Sequence, residues 1–374
     1  MTDTSPSLPI PAGDRASFGR PAARLGPFSW VLRGRVIAVT AVLLVALVAV
    51  TAYGLTLGDP ALSTADILDV LRDGGTRVQH FILIDLLAPR ALGGALVGAA
   101  LGLSGALTQS VSRNPLASPD IMGITWGAAV GAVSVIVLGG SRGGQISGTL
   151  GNLGVPVVSL AGGLLAALAV YLVARAPGTR GGGTGGHRLL LAGIGVSTLL
   201  ANLTYWLLTL ADVTDAGRAQ QWLTGSLSGM DWPQVVPTGI ALALLVPLTL
   251  LGAHRLAALG LGDDSARGLG LPVERTRVLL LLAAVALAAV ATAAAGPIAF
   301  VALATPQIAM RACGVAQPPL IASTVLGALL TVTADLLARV AFGSIELPVG
   351  VLTAVLGAPY LMYLLIRSRR KARS

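Results

Sequence analysis

The sequence predicts an all-α integral membrane protein with ten transmembrane helices and both termini in the cytoplasm. Three observations predict it. Apolar runs near 20 residues recur from Val36 to Ile366, about the length that crosses a bilayer core. Only 11% of the 374 residues are charged and the mean hydropathy is +0.82, whereas soluble chains carry roughly 25% charged residues. Nineteen of the 25 Lys and Arg fall on one side of the spans so defined, the side that the positive-inside rule assigns to the cytoplasm. A soluble enzyme, a disordered chain and a secreted disulfide scaffold are excluded. Cys313 is the only cysteine, so no disulfide forms within the chain.

Residues 1–30 are rich in Pro, Ser and Arg and are expected to form a disordered cytosolic lead. The first span, Val36–Leu57, has an apolar run longer than the 7–15 residues of a signal peptide, so it is read as retained. The second, Ala91–Val111, repeats Gly94, Gly98 and Gly102 at four-residue spacing. Small residues so placed let helix backbones meet closely in lipid. Asn114-Pro115 and Ser118-Pro119 then break the helix, with Asp120 placed to cap the third span, Ile121–Leu138.

Val155–Ala174 and Leu189–Leu210 are the fourth and fifth spans, joined through Gly181–Gly186. That Gly-rich stretch has neither the lysine of a P-loop nor a preceding strand, and it reads as a flexible loop. The only lysine is Lys371, so the chain is not expected to hydrolyse ATP itself. Val235–Ala253, Val278–Ala295, Ile298–Ala312, Leu320–Ala338 and Val349–Ile366 complete the set. The eighth is short, and Thr305-Pro306 interrupts its ladder, which a membrane tolerates only where protein or a cavity satisfies the freed groups. Residues 31–367 therefore make one membrane domain, and 368–374 a basic cytosolic tail.

The cytoplasmic set comprises Arg15, Arg20, Arg24, Arg33, Arg35, Arg113, Arg175, Arg180, Arg188, Arg255, Arg267, Arg275, Arg277, Arg311 and the tail. Arg72, Arg77, Arg90, Arg142, Arg218 and Arg339 lie on the other side. This asymmetry accounts for the net charge of +9 without a nucleic-acid partner. Asp335 and Arg339 are four apart on one helical face and read as a local ion pair. No other acid lies within a span, which disfavours a proton-coupled carrier. A sodium site using carbonyls with Asn202 or Thr204 stays open, and with it an ion-coupled secondary transporter. His80, His187 and His254 are far apart and show no metal-ligand spacing.

Three segments carry a resemblance. Ala88–Val133 reads APRALGGALVGAALGLSGALTQSVSRNPLASPDIMGITWGAAVGAV, Leu256–Arg277 reads LAALGLGDDSARGLGLPVERTR, and Ala293–Pro359 contains AGPIAFVALATPQIAMR and ADLLARVAFGSIELPVGVLTAVLGAPY. With LLLAGIGVS and WLTGSLSGMDW between them, the chain resembles the FecCD-type permeases of ATP-binding-cassette importers over about Ala38–Ile366. The resemblance implies the type II importer architecture. It also implies a second permease subunit, identical or homologous, a partner ATPase that holds ATP and Mg2+, and an extracytoplasmic substrate-binding protein. No cofactor bound by the chain itself is implied. The cargo would be a ferric siderophore, with haem or cobalamin as alternatives.

Site roles follow from the same resemblance. Within the cytoplasmic loop 254–277, Leu259, Gly260, Asp263, Asp264, Ala266, Leu269 and Gly270 would couple to the ATPase. Asp263 is placed to cap the second short helix of that loop. Read without the family, the loop is an ordinary solvated amphipathic segment. Arg113, Asn114, Pro115 and Asp120 form the cytoplasmic turn. Arg90 and Arg339 match the positions that receive acidic residues of the binding protein, with Arg72, Arg77 and Arg218 as weaker candidates. The pathway would follow the fifth and eighth spans. Four departures stand out. Leu87 replaces an arginine, Asp263-Asp264 replaces Glu-Glu, Gln307 replaces a histidine, and Trp126 stands where a small residue is common.

Overall fold

The computed structural model describes residues 22–25, 28–31, 33–57, 62–140, 149–175, 186–341 and 346–371. Arg142, Arg180 and most of the Gly181–Gly186 loop lie outside the described residues. The apolar segments read from the sequence are largely helical, although the eighth begins only at Val301, after the non-helical Ile298–Phe300. The helices are α1 (Gly34–Thr56), α2 (Thr64–Val70), α3 (Arg77–His80), α4 (Ala88–Ser112), α5 (Ile124–Gly140), α6 (Thr149–Arg175), α7 (Gly186–Thr209) and α8 (Val213–Leu223). They continue with α9 (Trp232–Leu251), α10 (Ala253–Leu259), α11 (Asp263–Gly268), α12 (Val273–Ala295), α13 (Val301–Cys313), α14 (Leu320–Val340) and α15 (Val349–Lys371). Among the described residues, seven helical stretches are long and apolar enough to cross a membrane, one of them the continuous run Arg77–Ser112. The last helix runs on to Lys371, through part of the expected tail.

In the lead expected to be disordered, Ala22–Leu25 pairs antiparallel with Phe28–Val31, Leu25 opposite Phe28.

α4 is the centre of the bundle. Between Val97 and Val111 only Ala99 escapes full burial, because α9, α12, α13 and α14 surround it. The glycine spacing acts as the sequence anticipates. A Cβ on Gly98 would collide with the carbonyl of Gly327 on α14, so the two backbones touch where side chains would hold them apart. A second cluster joins Ile124 and Ala167 to Val285, Ala288 and Ala289 of α12. α1 is peripheral, burying only Gly54.

Two prolines shape the ends of this core. Pro306 sits inside α13 and leaves the Ala302 carbonyl without its i+4 donor. Gly105 of α4 lies against that carbonyl so tightly that a Cβ there would overlap it. At the other end, a π-helical turn, Phe81–Leu87, leads into α4, with the Ala88 N–H bonded to the Leu83 carbonyl. The next bond of that register would run from residue 89 to the Ile84 carbonyl, and Pro89 has no N–H to give. The indole Nε1 of Trp232 donates to the Ile84 carbonyl instead, at 2.9 Å. α9 is thereby fastened to the turn that leads into α4 and its Arg90.

Candidate functional site

Chemistry-bearing side chains gather at the two ends of the bundle. At the end expected to face the cytoplasm, α4 stops at Arg113, which has left-handed backbone angles of φ 49° and ψ 33°. The Asn114 side chain accepts from the Leu116 N–H at 3.0 Å, an Asx turn that completes the reversal. This geometry sends the Arg113 guanidinium across to the α10–α11 hairpin. It donates to the Leu259 carbonyl at 2.6 and 3.1 Å and to the Asp263 carboxylate. Arg277, at the start of α12, donates to both oxygens of the same carboxylate at 3.1 Å.

Asp263 therefore does not cap α11, contrary to the sequence expectation. The N-cap is Gly262, at φ 109°, and no side-chain cap forms. Two guanidiniums draw the carboxylate away from the helix amides, since charge-assisted bonds are the stronger ones. Partial burial pushes the Asp263 carboxyl up, but the bonds from Arg277 and Arg113 and their charges hold it below its usual range. Asp120 also departs from expectation. It lies in a 3₁₀ turn, Pro119–Met122, where Ser118 is the N-cap. Its carboxylate accepts from the hydroxyls of Ser118 at 2.8 Å and Thr125 at 2.6 Å, tying the turn to α5 through side chains.

The expected coupling residues play different parts in the hairpin. Leu259 and Ala266 are buried and seat the hairpin on the bundle. Gly260 lies under the Gln317 side chain, and Gly270 takes φ 79°. Asp264 and Leu269 face outward, and Asp264 pairs with its neighbour Arg267 at 3.1 Å. Leu261, absent from the sequence reading, is 68% exposed beside them.

At the opposite end, Arg90 and Arg339 converge on one acid. Arg90 donates through Nε and Nη2 to Asp335 at 3.0–3.2 Å and through Nη1 to Glu346 at 3.1 Å. Arg339 pairs with Asp335 at 3.4 Å, the helical pair read from the sequence. The Arg90 and Arg339 side chains are only 15% and 14% exposed. Arg218 is exposed and 3.9 Å from Asp215, and Arg72 and Arg77 are exposed around α2 and α3.

Sequence reasoning missed Arg277 and Glu346, which stand within the quoted motifs but gain meaning only from distant partners. It also missed Gln109. Gln307 donates to the Gln109 side-chain oxygen at 2.7 Å, and Gln109 donates to the Leu303 carbonyl at 2.9 Å. Gln307 of this buried amide pair stands where the resembled family has a histidine. Trp126 of α5 packs its ring 5.9 Å from that of Tyr205 on α7.

The sequence model of the FecCD transport family matches residues 43–367. The chain is 39% identical over 334 residues to the ferric enterobactin transport system permease protein of Escherichia coli (strain K12), covering 89% of this chain and 97% of that protein. It is 38% identical over 348 residues to the achromobactin transport system permease protein of Dickeya dadantii (strain 3937), covering 92% and 96%. Among solved structures, an inward-facing metal-chelate type ABC transporter aligns with a TM-score of 0.76 and 27% identity, over 88% of this chain and 99% of that one.

Proposed function

The chain belongs to the FecCD transport family, and from that premise we propose that it is the permease subunit of an ATP-binding-cassette importer that brings a ferric siderophore across the cytoplasmic membrane. Likeness along almost the whole chain to permeases named for ferric siderophore transport carries this reading. The proposed arrangement has ten spans, both termini in the cytoplasm, and two permease subunits around a central path along α7 and α13. A substrate-binding protein serves the outer face. ATP and Mg2+ belong to the partner ATPase.

The inner end supports the coupling role proposed for α10 and α11. An element that transmits a push needs a face for the partner and a stiff link to the bundle. Leu261, Asp264 and Leu269 supply the face. The link consists of buried Leu259 and Ala266 and of Arg113 and Arg277 on Asp263, which fasten the hairpin to α4 and α12 together. Displacement of the hairpin is thereby passed to the helix at the centre of the core, because close-packed interiors transmit strain. At the outer end, Arg90 and Arg339 are the proposed contacts for acidic side chains of the binding protein.

The test is uptake of radioactive iron from a panel of siderophores, with haem and labelled cobalamin as further cargoes, in a strain lacking this chain. One ferric siderophore should lose uptake on deletion and regain it on complementation. Uptake that persists after inactivation of every partner ATPase, or a deletion phenotype confined to haem or cobalamin, would reject the reading.

A further inference from the structure

We infer that the outer end holds a carboxylate-accepting site that the chain fills with its own Glu346, which an acidic side chain of the docking protein replaces. The partner's identity rests on the importer reading; the site itself rests on geometry.

The first observation is charge. Arg90 and Arg339 face Asp335 and Glu346, so the cluster is neutral as folded, not the doubly positive patch that the two arginines suggest alone. The second is inequality between the acids. The Asp335 side chain is 7% exposed, accepts three bonds from Arg90 and pairs with Arg339. Removing it would strand two poorly hydrated guanidiniums. The Glu346 side chain is 49% exposed and accepts one bond, from Arg90 Nη1. Glu346 also lies in the non-helical stretch before α15, so it can swing away without breaking a helix.

The third observation is spare donor capacity. Arg339 Nε lies 3.4 Å from Asp335 without forming a hydrogen bond, and Nη2 reaches the Gly54 carbonyl only at 3.5 Å. An arginine carries five N–H donors, so the cluster has donors to spare once Glu346 departs. The occupant that fits is a single Asp or Glu carboxylate on a protein edge. Exchange of one carboxylate for another yields a small net electrostatic gain, because the incoming acid only replaces a bond already made. Docking is thus kept specific for an acid yet releasable, as a delivery cycle needs.

The test begins with the full-length chain in lipid nanodiscs, with Cys313→Ser as background. Glu346→Cys is reacted at low salt with an anionic and a cationic methanethiosulfonate, each normalised to its rate with a free thiol. The anionic reagent should react roughly fivefold faster, and the preference should vanish with Arg90→Ala. Equal rates, or a preference that survives Arg90→Ala, overturn the inference. A second arm uses the binding protein cross-linked to and purified with the transporter from host membranes. Glu346→Gln should tighten its docking about fivefold at ~50 mM salt, with no gain at high salt. Docking lost in Arg90→Ala but unchanged in Glu346→Gln overturns the inference and spares the importer reading. Docking unchanged in Arg90→Ala removes the docking role of that arginine, and with it the exchange.

Discussion

Arg113, the left-handed residue that ends α4, donates to the carboxylate of Asp263, the first residue of α11. The bond joins the core helix to the hairpin proposed to meet the ATPase, and Arg277 grips the same carboxylate from α12. Asp263→Arg should therefore place three guanidiniums together and abolish transport. ATPase activity of the assembled complex should then be lost or no longer respond to substrate. Wild-type uptake by folded Asp263→Arg would rule out the link.

The acid dependence of the same contact has a definite sign. The Asp263 carboxyl is held below its usual range by its two arginines. Its contribution is therefore complete above the unfolded value of about 3.9 and is lost as pH falls through the lower folded value. Hydrogen exchange in α10 and α11, corrected for the intrinsic pH effect, should stay protected down to about pH 4 and open only below it. Asp263→Asn should show weaker protection already at neutral pH. Identical profiles for the two proteins would contradict this.

Trp232 and Pro89 make a prediction about non-additivity. Trp232→Phe removes the indole donor to the Ile84 carbonyl and should cost about 0.5–1.5 kcal/mol, the usual net worth of one hydrogen bond. Pro89→Ala supplies a backbone N–H in the register that leads to Ile84. In that background Trp232→Phe should cost markedly less, and melting of the four proteins in detergent measures the coupling. Equal losses in both backgrounds would show that the indole does not stand in for the missing amide.

Gly98 tests the packing of the core. Gly98→Ala drives a methyl group into the Gly327 backbone, where no flexible side-chain end can yield. The cost should be about 1–3 kcal/mol, typical of overpacking, seen as lower yield and lower melting temperature. Gly195→Ala, with no atom near its Cβ position, serves as the control and should be close to neutral.

Much of this fold is legible in the sequence because its causes are local. Apolar length marks the helices, four-residue glycine spacing marks the α4–α14 contact, and i,i+4 spacing marks the Asp335–Arg339 pair. The failures have a common origin in distance along the chain. Capping is a neighbour rule, and it assigns Asp263 to α11. The residue that overrides it, Arg113, is 150 positions away. Arg90 reads as an available outer charge until Glu346, 256 positions later, is found on it. The π turn escapes because Pro89 is an ordinary helix starter by pattern, and only the Trp232 indole reveals the register it interrupts.

One grip in the inner hairpin engages main chain. Arg113 takes the carbonyl of Leu259, an atom that every amino acid possesses. The anchorage is blind to which side chains decorate the outward surface nearby. Evolution can thus rewrite Leu261, Asp264 or Leu269 to suit a different motor while the fastening beneath them stays intact.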